Sequence, residues 1–246
     1  MIQLFILLFV AIPLLKLVTA LAWPGLLRRR EGQRAEDLLV RQFGEILDDP
    51  RMSTVGTRLL DTATMKASFG VLRGPIKNAV ALPSGRILVW QGLLDETSDD
   101  DDMLAGVLAH ELGHLRHEHF LKRVQWAALA RFVLGSIGGG WMRSALQGAV
   151  ATLIARGFSR TQELEADRAA VEIMANAGFN PGGLARLLDL LATTHHPGGL
   201  MGTHPEPSDR AARVRELIGI PTAPDTPEPP PADVPDNVLL FPARPR

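Results

Sequence analysis

The chain of 246 residues contains no cysteine and no tyrosine, and only 5% of its residues are aromatic. The absence of cysteine excludes disulfide bonds and thiolate metal ligands, so any metal must be held by histidine and carboxylate side chains. The absence of tyrosine excludes a phenolic donor to a negatively charged oxygen, which leaves His, Arg and backbone N–H groups. A net charge of −1 gives no indication of a nucleic-acid partner.

Hydrophobic residues make up 46% of the chain, which is enough for a sizeable core. We expect one domain of about 200 residues with terminal extensions, and we place it at residues 31–219. Proline accounts for nine of the last 26 residues. Residues 220–246 are therefore predicted to form an extended, disordered tail to which we assign no chemistry.

Residues 2–23 form an almost unbroken apolar run, which is followed by the basic cluster Arg28–Arg30. The run is long enough to cross a bilayer once, so residues 1–30 are predicted to be a transmembrane anchor with a basic flank. A cleaved signal peptide ending at Ala20–Ala22 is the alternative, although no basic segment precedes the apolar run. The arginines favour the cytoplasmic face for the domain, with an exported, periplasmic domain as the alternative.

The spacing of the apolar residues predicts a mainly α fold with a small β-sheet (α+β). Short strands are expected within residues 68–80 and 86–90, where β-branched and apolar residues are interrupted by Gly and Pro. Residues 124–157 are apolar but contain three arginines. They are predicted to form a buried or membrane-resting helical hairpin, with a re-entrant element as the alternative. Further helices are expected at residues 36–47, 53–65, 162–177, 181–192 and 207–218.

Another helix-periodic run contains H-E-L-G-H at residues 110–114. His110 and His114 are four residues apart, so their imidazoles share one helix face and can occupy adjacent corners of a tetrahedral zinc site. Glu111 lies about 100° around the helix, where its carboxylate can reach a water molecule on the metal without binding the metal. The alternative is a surface helix in which the two histidines occur at this spacing by chance. The zinc prediction therefore requires a third protein ligand.

Two features outside this motif complete the prediction for the helix. Ser98 is predicted to be its N-cap, and the four aspartates at residues 99–102 give the first turn a negative charge that suits a helix N-terminus. Gly113 has no side chain, which predicts the close approach of a substrate or a strand at that turn.

The third ligand must come from a downstream acid or histidine. Glu163 and Asp167 share one face of a predicted helix, and a carboxylate from one helix with two histidines from another is a known catalytic zinc arrangement. Asp167 would then accept a hydrogen bond from a ligating imidazole. Glu165 is predicted to pair with Arg160 or Arg168. The alternative is a solvated acidic helix start. The full set of candidates is Glu163, Glu165, Asp167, Glu172, His195, His196 and His204.

Five segments of the sequence, in their order along the chain, resemble the M48 family of zinc metallopeptidases, the Ste24/HtpX/Oma1-like group. The resemblance covers about residues 35–218 and implies a zincin-like metallopeptidase domain with a small sheet beside the zinc helix. The matching segments are N-A-V-A-L-P at residues 78–83 with Gly85, G-L-L at 92–94, H-E-L-G-H at 110–114, S-R-T-Q-E-L-E-A-D at 159–167, and T-H-P at 203–205 with Arg210.

The resemblance implies that Glu163 is the third ligand of one zinc ion per chain and that Asp167 supports a ligand. It also implies that a strand edges the active-site cleft and pairs with the extended backbone of a polypeptide substrate. The residues of that strand are Asn78, Ala79, Val80 and Ala81.

His204 lies in the matched T-H-P segment. We expect it to face the zinc, where it would stabilise the oxyanion or cover the metal in a resting state. A loop histidine that caps the following helix is the alternative. His117 shares the helix face of the two ligands, but packing or surface exposure is favoured for it. The histidines predicted to be polar surface residues are His119, His195 and His196.

Together these patterns predict a membrane-anchored zinc metalloendopeptidase in which Glu111 is the general base. The family suggests a role in protein quality control. A non-catalytic zinc protein that holds client proteins at the membrane is the first alternative, and a zinc hydrolase of non-peptide amides is the second.

Overall fold

The computed structural model describes residues 24–123, 125, 157–193, 204 and 207–219. The predicted anchor at residues 2–23, most of the predicted hairpin at 124–157, His195, His196 and the tail from residue 220 lie outside the described residues. The helices are α1 Pro24–Phe43, α2 Pro50–Ala63, α3 Gln91–Glu96, α4 Asp101–Arg116, α5 Arg160–Asn176, α6 Gly182–Thr193 and α7 Pro207–Leu217, and the strands are β1 Ser68–Leu72, β2 Ala79–Ala81 and β3 Arg86–Trp90.

This element order confirms a mainly helical fold with a small sheet. Most predicted helices and strands agree with the structure to within a few residues, but α1 differs. It begins at Pro24, twelve residues before the predicted start. The prediction relied on helical periodicity of apolar residues, and the charged segment before residue 36 lacks that periodicity although it is helical. Across the described ranges, no helix combines the length and apolarity that crossing a bilayer requires.

The sheet has the strand order β1–β3–β2. β1 pairs in parallel with β3, with Phe69 opposite Ile87, and β2 pairs antiparallel with β3, with Val80 opposite Leu88. A tight turn connects β2 to β3, and Gly85 adopts a φ of +90° in it, which side-chain-bearing residues avoid. β2 is therefore an edge strand of the described sheet, and it packs against α4.

The core is organised around α4, in which every residue from Leu104 to His114 is buried. α5 and α6 pack closely against it. A Cβ at Gly113 would lie 2.7 Å from the carbonyl oxygen of Ala166 in α5, so this glycine permits a close crossing of the two helices. The predicted close approach at Gly113 exists, but the approaching element is a helix and not a substrate or a strand.

Side-chain caps fix where α4 and α5 begin. The predicted N-cap Ser98 is wrong: α4 is capped by Asp100, whose carboxylate accepts a hydrogen bond from the N–H of Met103. α5 begins with a capping box in which Ser159 and Gln162 bond each other's backbone N–H groups. Caps of this kind contribute about 1 kcal/mol each. They stabilise the first turns of the two helices that carry the acidic and histidine side chains.

Candidate metal centre

His110 and His114 lie on successive turns of α4, and both side chains are buried. Their Nε2 atoms are 3.0 Å apart. The ring of Phe158 stacks on His114 with a centroid distance of 3.9 Å, which restricts the rotation of that imidazole. The two Nε2 atoms thus converge on one point beside the helix, as the i, i+4 spacing predicts.

α5 brings Glu163 to the same point, because the two helices cross closely at Gly113. Its Oε2 atom lies 3.5 Å from Nε2 of His110, and its Oε1 atom lies 3.5 Å from Nε2 of His114. A tetrahedral zinc site with bonds of about 2.0–2.1 Å has corners roughly 3.3 Å apart. The three side chains therefore fit three corners of such a site.

His204 supplies a fourth donor atom. Its Nδ1 atom is 3.2 Å from Nε2 of His110 and 3.0 Å from each carboxylate oxygen of Glu163. One donor atom from each of four buried residues, these three and His114, lies within 4.8 Å of all the others. His204 thus faces the cluster, as expected from the T-H-P segment, and lies where a fourth tetrahedral corner would be.

Asp167 and Arg210 form a buried layer behind the cluster. Asp167 Oδ1 is 2.9 Å from Nδ1 of His110 and so can accept a hydrogen bond from that imidazole. Arg210, from α7, donates two hydrogen bonds of 2.7 Å to the Asp167 carboxylate, and its Nη1 atom lies 2.6 Å from Oε2 of Glu163. A bidentate arginine holds a carboxylate in a defined orientation, so Arg210 fixes Asp167 relative to His110, and its charge also faces Glu163.

Glu111 points toward His204 and the cluster from the same helix as the histidines. Its carboxylate is buried, and Oε1 has no hydrogen-bond partner among the described residues. The nearest basic atom is Nε2 of His204, at 3.5 Å. A buried carboxylate oxygen without a partner is costly unless water or an ion contacts it. Such an oxygen is available to accept a proton from a bound molecule.

The charges in the cluster also fit a divalent cation. Three buried carboxylates, Glu111, Glu163 and Asp167, face one buried guanidinium, that of Arg210. The half-buried guanidinium of Arg123 also acts on Glu163. With neutral imidazoles the carboxylates still outnumber the guanidinium groups, and a metal cation would offset this excess of negative charge. Nitrogen and oxygen donors without thiolate, in a tetrahedral arrangement, are a common donor set for catalytic zinc.

The ionisation of these groups reflects the same imbalance. Burial lowers the pKa of His110, but the hydrogen bonds with Asp167 and Glu163 raise it to about 9. Burial and the neighbouring charge of His110 hold the pKa of His114 well below its usual range. Burial raises the pKa of Asp167, but the bonds from Arg210 outweigh it and keep that carboxyl ionised.

The surroundings of His119 differ from the prediction. It was expected to be a polar surface residue, but it is buried, and its Nδ1 atom is 2.9 Å from Nδ1 of His114. The predicted pairing of Glu165 with Arg160 or Arg168 is also not observed: Glu165 Oε2 lies 2.9 Å from Nε2 of His119. The chain reverses at Glu118, whose left-handed φ of +56° returns His119 to the end of α4. His117 caps the helix and is half-buried.

The predicted substrate strand corresponds to β2 and the residue before it. The backbones of Asn78 and Leu82 form hydrogen bonds with β3, at Trp90 and Arg86. Because bonding alternates along an antiparallel pair, the backbone of Ala81 faces the free edge of the sheet. The Ala79 N–H is bonded by the Asn78 side chain. The backbone groups of Ala81 are therefore directed toward the unpaired side of β2, although Ala81 itself is only 5% exposed.

The sequence profile of peptidase family M48 matches residues 47–218, which include both helices of the cluster. The chain belongs to peptidase family M48. As an M48 peptidase it is classed with the metalloendopeptidases. The predicted family and the predicted enzyme class are both confirmed.

Known M48 relatives show how much of the chain is shared. It is 31% identical to metalloprotease LoiP of Escherichia coli over 177 residues, which are 68% of this chain and 69% of LoiP. It is 28% identical to the beta-barrel assembly-enhancing protease of E. coli over 73% of this chain and 42% of the relative. It is 31% identical to the mitochondrial metalloendopeptidase OMA1 of Arabidopsis thaliana, over 57% of this chain and 29% of OMA1. The chain thus spans less than half the length of the latter two proteins.

Three features of the cluster have no assignment from the sequence. The pairing of Arg210 with Asp167 and Glu163 was left open, although Arg210 lies in a matched segment. The stacking of Phe158 on His114 and the burial of His119 were not predicted. A signal for Phe158 was available, because it lies one residue before the capping box of α5.

Proposed function

We propose that this M48 peptidase is a zinc-dependent endopeptidase whose catalytic domain, residues 31–219, is anchored to a membrane by residues 1–30 and ends in a tail at 220–246. The observation that carries the proposal is the convergence of His110, His114 and Glu163 on one point beside the buried Glu111 carboxylate. Its cytoplasmic location follows the positive-inside argument, with a periplasmic location as the alternative. One relative is named for enhancing the assembly of beta-barrels, and we propose for this chain a role in protein quality control.

In this proposal His110 and His114, through Nε2, and Glu163, through its carboxylate, hold one zinc ion per chain. Zinc at such a site lowers the pKa of water and polarises a carbonyl group as a Lewis acid. Asp167 accepts the Nδ1 proton of His110, which leaves Nε2 of that imidazole free to bind metal. Arg210 offsets the charges of the two acids and keeps them in place.

Glu111 is proposed to be the general base. Its unpartnered Oε1 takes a proton from the attacking water and then delivers it to the nitrogen of the leaving amine. The peptide bond is broken, and the water oxygen remains on the new carboxyl group.

β2 is proposed to bind the substrate backbone. An extended polypeptide that pairs with the free edge at Ala81 would be held beside α4, against which β2 packs. Pairing of this kind uses backbone groups alone, so it favours unfolded segments of many sequences over one specific sequence.

His204 is proposed to act at the fourth corner of the site. Its Nδ1 atom lies within 3.2 Å of the two ligand groups that flank that corner, which supports a resting state in which His204 covers the metal. A role as donor to the oxyanion would require the imidazole to move away from this corner when substrate enters.

Replacing Glu111 by glutamine tests the proposed function. The amide cannot accept the proton, so E111Q should lose at least 100-fold in casein cleavage while it still binds one zinc ion, measured by metal analysis. E172Q, at an exposed glutamate of α5, is the matched control and should cleave like the wild type. Wild-type turnover in E111Q would contradict the assignment of the base. A wild type that binds zinc but cleaves nothing would favour the client-holding alternative.

A further inference from the structure

A chain of three hydrogen-bonded side chains, His114, His119 and Glu165, leads away from the cluster. His114 Nδ1 is 2.9 Å from His119 Nδ1, and His119 Nε2 is 2.9 Å from Glu165 Oε2. His114 and His119 are buried, whereas the Glu165 side chain is 41% exposed. The chain therefore connects a proposed zinc ligand to a carboxylate at the protein surface.

The hydrogen bonds in this chain admit one arrangement of protons when His114 binds a metal through Nε2. A neutral imidazole has one N–H, so the proton of His114 must then be on Nδ1. That N–H donates to Nδ1 of His119, which must be unprotonated. The proton of His119 is then on Nε2, where it donates to the carboxylate of Glu165. Every donor faces an acceptor, so the arrangement is self-consistent.

The backbone conformation after α4 brings the three side chains together. α4 ends at Arg116, and the left-handed φ of +56° at Glu118 turns the polypeptide so that His119 lies against the ring of His114. Left-handed backbone is unfavourable for a glutamate and persists only where surrounding contacts hold it. The close crossing of α4 and α5 then puts Glu165 within reach of the far nitrogen of His119.

From these contacts we propose that His119 is a positioning residue that holds His114 in the orientation and tautomer needed to bind zinc, with Glu165 fixing His119 in turn. This inference rests on the proposed function, since it assumes that His114 is a ligand. Asp167 has the corresponding position next to His110. Each imidazole on α4 would thus be oriented from behind by its own partner.

A second metal site is the competing interpretation of the same residues. Donor atoms of His117, His119 and Glu165 lie within 4.8 Å of one another, which is close enough for a shared ion. However, a metal on Nε2 of His119 would require that ring either to lose both protons or to give up its bond with His114. The hydrogen-bonded chain avoids this conflict, so we favour positioning over metal binding.

The test compares zinc affinities of the full chain by competition with a chelator. H119L removes both hydrogen bonds and should weaken zinc binding by about 10- to 100-fold. H119N places an amide oxygen near the position of Nδ1, so it should recover most of that loss. E165A should weaken binding only about threefold, because the lost contact is partly exposed. H117L, a matched histidine outside the chain, should bind zinc like the wild type.

The outcomes separate this inference from the proposed function. A wild type that binds no zinc overturns both. A wild type that binds one zinc while H119L retains full affinity overturns the inference alone, as does a failure of H119N to restore binding. Two zinc ions in the wild type, with one lost in H117L, would favour the second metal site and overturn positioning.

A spectroscopic measurement keeps the inference testable if H119L does not fold. In the zinc-loaded wild type labelled with ¹⁵N-histidine, nitrogen–proton correlations distinguish the two tautomers of each ring. We expect a proton on Nδ1 of His114 and on Nε2 of His119. A proton on Nδ1 of His119 would overturn the proposal.

Discussion

Arg210 is buried between two carboxylates, and this single side chain determines much of the charge balance of the cluster. Removing a buried charge from its partners costs about 3–5 kcal/mol, because the remaining charges lose their compensation. Even with Arg210 present, the acids outnumber the cations, so the metal-free cluster attracts protons. The raised pKa of His110 is the consequence of this imbalance.

That pKa predicts how the stability of the metal-free protein depends on pH. The folded state raises the pKa of His110 from 6.5 to about 9. Its contribution to stability is therefore fully present below pH 6.5 and is lost as the pH rises through 9. In chelator-treated protein, the free energy of unfolding in urea should fall by about 2 kcal/mol between pH 7 and pH 9.5. H110Q should lack this decrease, and an equal decrease in H110Q would refute the assignment.

His204 offers a second prediction at the residue scale. If it covers the fourth corner at rest, H204A should raise kcat/KM for an unfolded substrate, since less energy is needed to expose the site. An oxyanion role predicts the opposite, a loss of about 100-fold in kcat. Steady-state kinetics on casein-derived peptides decide between the two, and the geometry leads us to expect the increase.

At the scale of elements, the important feature is that β2 is short and lies at the edge of the sheet beside α4. Edge strands expose backbone N–H and C=O groups that readily pair with another chain. Asn78 uses its own side chain to occupy the N–H of Ala79, so the outward backbone groups left for pairing are those of Ala81. Because Ala81 is only 5% exposed, pairing with a substrate requires the groups that cover it to move. We infer that this position makes the backbone contact with substrate.

Replacing Ala81 by proline tests that contact. A81P removes one outward N–H and leaves the bonds of Asn78 and Leu82 to β3 in place. One hydrogen bond contributes about 0.5–1.5 kcal/mol, so KM should rise up to about tenfold with little change in kcat. A81G retains the N–H and is the matched control. An equal rise in KM for both variants would indicate a loss of packing instead of a lost substrate contact.

At the scale of the whole molecule, the cluster depends on two helices from distant parts of the chain that cross closely. The sequence predicted both helices, and an i, i+4 spacing placed each pair of residues, His110 with His114 and Glu163 with Asp167, on a common face whatever the tertiary context. That the two faces meet was implied only by the resemblance to the M48 family. It also predicted the small sheet, since the glycines and prolines that bound its strands act locally.

Long-range packing was harder to predict. The sequence gives no local signal that Glu118 adopts a left-handed conformation, so the return of His119 to His114 was missed. The close approach at Gly113 was anticipated, but its partner was not, because any element without a clash could fill that space. Ser98 was predicted as the N-cap, but Asp100 is the observed one. Several polar residues precede α4, and tertiary contacts determine which of them caps the helix.

The most direct test of the account is a crystal structure of the zinc-loaded full chain with diffraction data recorded at the zinc absorption edge. We predict a single anomalous peak about 2.0–2.2 Å from Nε2 of His110, Nε2 of His114 and a carboxylate oxygen of Glu163. The same measurement on E163A should show the peak lost or strongly reduced. An anomalous peak next to His117 and His119 instead, or full zinc occupancy in E163A, would contradict the account.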